Sequence, residues 1–239
     1  MKRSFALAAF SALSGLASTQ AAVISLTPAA DRTIRGEGTS SADDGTLIIG
    51  YNNNSYALHA LLSFTLAPIT LGPGESIVVT GVTMDVRLAT TPGLGNGALT
   101  VTLNDYGFSF TESGAIWADP DGNGNSATGD TTPGGTAGTP LSTITVSNPG
   151  STSDVARTFG SSSAFVADVQ SIIGTGGELN YIMTSNATSD SFFTRLVSSE
   201  GATAGYRPTL VISYEVIPEP SAAMLAGLAG LGFMARRRR

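Results

Sequence analysis

Apolar and polar residues alternate along most of this chain with the period of two that is typical of β-strands. The pattern is clearest at residues 57–66, where Leu58, Ala60, Leu62, Phe64 and Leu66 share one face and His59, Ser63 and Thr65 share the other. Similar patterns predict strands at residues 23–27, 46–50, 77–80, 82–89, 98–103, 143–147, 179–184, 191–197 and 209–216.

The segments between the predicted strands complete the fold prediction. Gly, Pro, Asn and Asp collect there, as they do in turns. Phe165, Val169, Ile172 and Ile173 predict either one short helix or a bent strand before Gly174. The longest irregular stretch is residues 119–150, and a loop of that length usually binds a ligand or is disordered. Many short strands with such turns predict an all-β fold, a single jelly-roll-like β-sandwich.

The first residues have the three parts of a secretory signal peptide. Lys2 and Arg3 supply the positive charge, residues 5–16 form an apolar run, and residues 17–22 are mostly small. Cleavage is predicted near Ala21 or Ala22. We therefore expect residues 1–22 to be a signal peptide that directs the chain to the Sec export machinery.

The last two dozen residues also have three parts. Pro218, Glu219 and Pro220 form a rigid polar corner, residues 221–235 are small and apolar, and Arg236, Arg237, Arg238 and Arg239 end the chain. An apolar run followed by arginines is typical of a membrane segment whose charged end stays in the cytoplasm. Fifteen helical residues extend only about 22 Å, less than the ~30 Å of a hydrocarbon core. The pattern predicts a short transmembrane helix that is weakly held in the inner membrane.

This ending resembles the PEP-CTERM sorting signal of bacterial exported proteins. The resemblance implies recognition by an exosortase, with Pro218, Glu219 and Pro220 as recognition residues, and delivery to the cell surface or the extracellular matrix. The alternative is a plain membrane anchor that is never processed. The predicted domains are therefore residues 1–22, a sandwich at 23–217 and a sorting segment at 218–239.

Composition narrows the class of protein further. Residues 22–218 contain six arginines, no lysine and 17 carboxylates, which gives a net charge of −11 with His neutral. Such a surface repels phosphate, which argues against nucleic acid as a partner, and it favours divalent cations. Cysteine is absent, so the exported domain does without disulfides.

The best candidate for a metal site lies in the long irregular stretch. Its oxygen-bearing side chains are Asp119, Asp121, Asn123, Asn125 and Asp130, separated by glycines. Calcium takes six to eight oxygen ligands, so this spacing predicts a calcium site. It is not an EF-hand, because Asp130 stands where that loop has a glutamate. The alternative is a solvated turn, and Asp43, Asp44 and Gly45 form a weaker second candidate.

Aromatic residues are the candidates for binding carbohydrate. Trp117, the only tryptophan, either stacks on a sugar ring or fills the core. Tyr51, Tyr56 and Tyr106 are further stacking candidates. His59, the only histidine, is predicted to be a hydrogen-bonded strand residue, since no G-x-S-x-G motif accompanies it.

Acidic residues offer a third class of chemistry. Glu112, Asp119, Asp121 and Glu200 would serve glycoside hydrolysis if two of them met across a sugar. A structural ion pair between Arg195 and Glu200 is a further expectation.

Short motifs along the mature chain resemble the DNRLRE-type β-sandwich domain, which is related to carbohydrate-binding modules. They lie at residues 27–34, 47–50, 60–64, 112–117, 198–200 and 207–214. The chain departs from the family at Ser199, where Arg is usual, at His59, where Arg or Lys is common, and at Thr65, where Asp is frequent. The resemblance implies a jelly-roll fold with a carbohydrate ligand.

Three functions follow from these features. We expect an exported, non-catalytic cell-surface or matrix protein that associates with exopolysaccharide and is sorted through its tail. The first alternative is a carbohydrate-binding module that recognises polysaccharide. The second alternative is a secreted polysaccharide hydrolase.

Overall fold

The computed structural model describes residues 20–36, 45–52, 54, 56–125, 128–188 and 191–218. Within these ranges the chain forms eleven strands, one α-helix and one short 3₁₀ turn at Ala204–Tyr206. The strands are β1 (Gln20–Leu26), β2 (Ala30–Arg35), β3 (Thr46–Tyr51), β4 (Ala57–Leu66), β5 (Glu75–Arg87), β6 (Ala98–Asp105), β7 (Pro140–Ser147), β8 (Ala156–Phe159), β9 (Gly177–Ser185), β10 (Phe192–Val197) and β11 (Thr209–Pro218). The helix α1 is Ser163–Ile172.

The strands form two antiparallel sheets. A four-stranded sheet has the order β1-β11-β5-β8, and a seven-stranded sheet has the order β10-β3-β4-β9-β6-β7 with β2 paired to β4. This arrangement confirms the predicted all-β sandwich, while its jelly-roll connectivity stays a prediction. The first and last described strands are neighbours, because Gln20 of β1 pairs with Val216 of β11.

The main core lies between the two sheets. Val82, Met84 and Ile212 of the smaller sheet pack in one apolar cluster with strand residues of the larger sheet, and Phe165 and Val169 of α1 join it. Ser162 caps the helix, since its hydroxyl accepts a hydrogen bond from the Phe165 N–H at 3.0 Å. Close packing of this kind is the main source of stability in a domain without disulfides.

Several elements differ from the prediction. The predicted strands at 77–80 and 82–89 are one strand, β5, and the strand predicted at 143–147 begins earlier, at Pro140. The segment before Gly174 is a helix, which is one of the two alternatives that its apolar spacing predicts. The pattern missed β2 and β8 altogether.

The alternation in β4 is correct for four of its five predicted inner residues. Ala60, Leu62, Phe64 and Leu66 belong to the main core. Leu58 instead packs with Ile48 and Phe193 in a separate small cluster. Leu58 is one of only two residues of β4 that pair with β3. The cluster also needs Ile48 of β3 and Phe193 of β10, so the alternation within β4 alone does not reveal it.

Candidate functional site

The connection between β6 and β7 forms a second, smaller core. Ile34, Leu61 and Ile182 come from three strands of the larger sheet and meet Tyr106 and Ala115 of the connection. Phe108, Phe110 and Trp117 pack against this group. The long irregular stretch is therefore held against the sheet by its own apolar residues.

Trp117 is part of this small core. Its ring centroid lies 5.0 Å from that of His59, and its carbonyl accepts a hydrogen bond from the Gly134 N–H at 2.7 Å. His59 Nδ1 lies 2.7 Å from the Gly134 carbonyl oxygen, so His59 and Trp117 each make a hydrogen bond with the backbone of Gly134. Gly134 has a φ of +86°, and an added Cβ would lie 2.6 Å from the Trp117 ring. Trp117 is half-buried in these contacts, and its role in stacking on a sugar stays a prediction.

His59 is the hydrogen-bonded strand residue that the sequence predicts. Burial lowers the pKa of His59, and the hydrogen bond to the Gly134 carbonyl opposes that shift only in part. A neutral imidazole therefore donates its Nδ1 proton to this carbonyl and ties the loop to β4.

The predicted calcium ligands are brought together in part. Asp121 is 5 % exposed, and its Oδ2 accepts hydrogen bonds from Asn123 Nδ2 at 2.8 Å and from the Asp130 N–H at 3.1 Å. Asp119 Oδ2 accepts from the Gly124 N–H at 2.9 Å. Asn123 and Asn125 are exposed. These oxygens brace the turn through backbone N–H groups, as Asp and Asn commonly do.

Asp130 has the same role at the end of the turn. Its side chain is 2 % exposed and accepts hydrogen bonds from the Thr132 N–H at 3.0 Å and the Thr136 N–H at 2.6 Å. Burial alone would raise the pKa of Asp130, but the bonds from Thr136 and Thr132 outweigh it and hold that pKa below its ordinary value. Binding of calcium to this loop would have to exchange some of these bonds for metal contacts.

A different set of carboxylates converges in space. One oxygen from each of Asp31, Glu112 and Glu200 lies within 4.8 Å of the others, which makes this trio the group with metal-ligand spacing in the described part of the chain. Asp31 is on β2 and 1 % exposed, while Glu200 follows β10 at the surface. The Ser199 N–H donates to Asp31 Oδ2 at 2.6 Å and fixes the two segments together.

The acidic trio holds a proton on Asp31. Burial, with the neighbouring charges of Glu200 and Glu112, raises the pKa of Asp31 to about 8 even though the Ser199 N–H lowers it. Burial alone would also raise the pKa of Glu200, but the hydroxyls of Ser199 and Ser198 outweigh it and lower that pKa. With its pKa raised to about 8, Asp31 keeps its proton at neutral pH and can donate it in a hydrogen bond to an ionised Glu200. A divalent cation is the other species that three such oxygens accept.

The sequence predicted this trio only in part. Glu112 and Glu200 were among the carboxylates proposed to converge, while Asp119 and Asp121 lie in the separate turn. Asp31 was missed because nothing local marks a strand carboxylate as buried. The predicted pair between Arg195 and Glu200 is wrong: Arg195 Nη1 donates to the Pro92 carbonyl at 2.9 Å, and Glu200 is bound by Ser198 and Ser199.

The tyrosines proposed as stacking platforms differ in exposure. Tyr106 is 2 % exposed and therefore buried, while Tyr51 is half-buried against the main core. Tyr56 is 39 % exposed at the start of β4. Of these three tyrosines, Tyr56 is the most exposed.

The predicted signal peptide and the predicted sorting segment lie mostly outside the described residues. Pro218 is the last residue of β11 and pairs with Glu75 of β5. The residues outside the described part include Glu219, Pro220, Arg236, Arg237, Arg238 and Arg239, together with Asp43, Asp44 and residues 1–19 of the predicted signal peptide. Among the residues that the structure describes, no helix has the length and apolar character needed to cross a bilayer.

Comparison with known families identifies the C-terminal segment. The family model described as the PEP-CTERM protein-sorting motif matches residues 216–239. The chain therefore carries this motif, which implies export followed by anchoring or exosortase processing at the C-terminus. No curated protein matches the chain.

Solved structures give only remote likenesses. A carbohydrate-binding module (CBM6cm-2) from Cellvibrio mixtus lichenase 5A, solved with cellotriose, is 12 % identical, and the match covers 77 % of this chain and 95 % of that one with a TM-score of 0.21. The infectious bursal disease virus Gt strain structure is 14 % identical, with 86 % and 42 % covered and a TM-score of 0.21. Likenesses at this level say nothing about ligand or activity, and the DNRLRE-type assignment stays a prediction.

Proposed function

We propose that this chain is an exported, non-catalytic cell-surface or extracellular-matrix protein that reaches its destination through its C-terminal tail. The match of residues 216–239 to the sorting motif carries the proposal. The Sec machinery would export the chain, the tail would hold it briefly in the inner membrane, and an exosortase would then process it. Contact with extracellular polysaccharide is the role we assign to the sandwich.

The position of the motif relative to the fold supports this proposal. The motif begins at Val216, and β11 continues to Pro218 while paired with Ile77, Ser76 and Glu75 of β5. The folded sheet therefore reaches the sorting corner without an intervening linker. A processing enzyme would meet a complete domain directly beside its recognition sequence.

A non-catalytic role is supported by the burial of the trio's proton donor. Glycoside hydrolysis needs an acid that touches the glycosidic oxygen. Within the acidic trio, the raised pKa belongs to Asp31, which is only 1 % exposed, so a substrate oxygen has no approach to it. We therefore rank hydrolysis at this trio below a surface or binding role.

Changing the sorting corner should stop the processing of the tail. We expect replacement of Glu219 and Pro220 by alanine in the full chain to leave the protein intact in the membrane fraction, because the exosortase loses its recognition residues. Mass spectrometry of the surface fraction should find the unaltered protein without the sequence that follows the prolyl corner. As a matched control, Glu215→Gln removes a nearby carboxylate of β11 and should be processed normally. The proposal would be refuted if the double variant reached the surface with its tail removed, as the unaltered protein does.

Calcium binding at the turn of Asp119, Asp121, Asn123, Asn125 and Asp130 is a further part of the proposal. We expect millimolar calcium, a range typical of extracellular sites, to raise the melting temperature of the full chain. Asp121→Asn should abolish that rise if the turn binds the ion, and Asp31→Asn should abolish it if the acidic trio does. Each variant is compared with and without calcium, with magnesium as the control ion. An unchanged melting temperature in the unaltered protein would exclude calcium from both places.

A further inference from the structure

Two arginines line one pocket on the larger sheet of this acidic protein. The pocket has a volume of about 300 Å³ and is lined by Arg35, Ile48, Asn52, Leu58, Phe193 and Arg195. Residues 22–218 contain only six arginines and no lysine against 17 carboxylates. Two of these six arginines therefore lie around a single concavity of an otherwise acidic protein.

Strand register brings these residues together from four strands. Arg195 of β10 lies opposite Ile48 of β3, and Phe193 lies opposite Gly50. Leu58 of β4 pairs with Gly50 on β3 and with Arg35 on β2. The pocket is thus built on regular strands, which position side chains more rigidly than loops do.

Arg195 has no carboxylate partner within the described part of the chain. Its Nη1 donates to the Pro92 carbonyl at 2.9 Å, and its guanidinium carbon lies 5.1 Å from the centre of the Phe193 ring. These two contacts hold the guanidinium in place and leave its charge uncompensated. A guanidinium held in this way is suited to a bidentate contact with a planar anion such as a carboxylate.

The floor of the pocket is apolar. Ile48 is 6 % exposed, Leu58 is 2 % exposed and Phe193 is 6 % exposed, and they form the small cluster described above. Asn52 Oδ1 already accepts the N–H groups of Asn54 and Tyr56, which leaves its amide Nδ2 as a donor. The ligand that fits has a carboxylate, an apolar ring face and hydroxyls that accept hydrogen bonds.

We propose that this pocket binds a uronate unit of an acidic polysaccharide, with Arg195 on the sugar carboxylate. The apolar floor packs against the C–H face of the sugar ring, and Asn52 donates to a hydroxyl. This assignment rests on the proposed matrix role and specifies its ligand. The remaining acidic surface repels a polyanion, so binding is confined to the pocket and weakens as salt is added.

Binding is tested with the protein recovered from the surface fraction, by titration calorimetry in the presence of a calcium chelator. The probes are a short oligogalacturonide and its methyl ester, which has the same ring without the charge. We expect the oligogalacturonide to bind and the ester to bind at least about tenfold more weakly, since loss of one charge-assisted contact is worth roughly that factor. The chelator removes calcium, which would otherwise bridge the polyanion to the acidic surface.

Variants locate the site. Arg195→Gln should weaken oligogalacturonide binding by about tenfold or more. The affinity of Arg195→Lys should lie between those of the unaltered protein and Arg195→Gln, because lysine keeps the charge but cannot make the bidentate contact. Arg157→Gln is the matched control, because Arg157 lies on β8 and donates to the neighbouring Ala156 carbonyl. An unchanged melting temperature shows that each variant is folded.

Three results would overturn the assignment. They are equal binding of the acid and its ester, unchanged binding by Arg195→Gln, and displacement of the sugar by an acidic peptide at lower concentration. The proposed surface role is judged separately, by location and tail processing. If the protein reaches the surface but does not bind oligogalacturonide, only the proposed ligand is refuted. If the chain stays in the cytoplasm, the proposed surface role is refuted.

Discussion

Replacing Asp31 with asparagine should raise the melting temperature of this protein at about pH 8 and flatten its dependence on pH. The carboxyl of Asp31 is buried beside Glu200 and Glu112, which raises its pKa from the ordinary 3.8 to about 8. Asparagine has the same shape and no charge to lose. Its Oδ1 can accept from the Ser199 N–H, and its amide can donate to Glu200 as the protonated acid does.

The direction of the pH effect follows from where the proton is held. Between about pH 4 and about pH 8 the unfolded chain has released the Asp31 proton, whereas the folded chain still binds it. The native state then carries more protons than the unfolded state, so stability falls as pH rises through this window. Glu200 does not oppose the trend, because its lowered pKa affects stability only in acid, below its ordinary 4.5.

The measurement is thermal unfolding of the full chain across this window, with a chelator present to exclude cations from the trio. We expect Asp31→Asn to gain about 2 kcal/mol or more at pH 8, a large effect for one substitution. Asp85→Asn is the control, since Asp85 is exposed on β5 and accepts a bond from Thr158. A variant that melts lower than the parent protein at pH 8 would show that the ionised trio stabilises the fold.

A single methyl group at Gly50 should cause the largest loss of stability. Gly50 has a φ of +137°, which side-chain-bearing residues rarely adopt, and it lies between Phe193 of β10 and Leu58 of β4. An added Cβ would lie 2.6 Å from the Phe193 Cα and closer still to the Phe192 carbonyl. Both obstacles are backbone atoms, which no side-chain rotation can move away. We expect Gly50→Ala to cost about 3 kcal/mol or more of unfolding free energy.

Denaturant unfolding compares this variant with Gly160→Ala. Gly160 lies between β8 and α1, and an added Cβ there has no heavy atom within 4 Å. The control should therefore unfold close to the midpoint of the unaltered protein. If both variants have the same midpoint, the close approach of β3 and β10 is wrong, and the neighbouring pocket with it.

Apolar spacing revealed the strands whose buried positions are apolar, and it missed a strand that buries polar residues. β4 was predicted correctly at residues 57–66 because His59, Ser63 and Thr65 share one face opposite its apolar residues. β2 was missed because Asp31, Arg32 and Thr33 interrupt its apolar pattern, yet all three are buried. Their burial depends on Ser199 and on the connection between β6 and β7, which packs against β4. Both segments are distant from β2 in sequence.

The candidate sites show the same limit. Local spacing drew attention to Asp119, Asp121 and Asp130, and the turn they form is local. The trio of Asp31, Glu112 and Glu200 joins three remote segments, and the pocket at Arg195 depends on four strands in register. Neither leaves a pattern within any short window of sequence.

The pairing of Gln20 with Val216 also decides how the protein faces its surroundings. Neighbouring strands are about 4.8 Å apart, so whatever precedes residue 20 and whatever follows residue 218 leave the sandwich at one pole. A precursor with a membrane-bound leader and tail would hang from the bilayer by both ends, with its far pole outermost. While both ends are membrane-bound, a reporter inserted at the far pole would project away from the bilayer. If both are trimmed, the new termini lie side by side, and a short linker would join them into a circular chain.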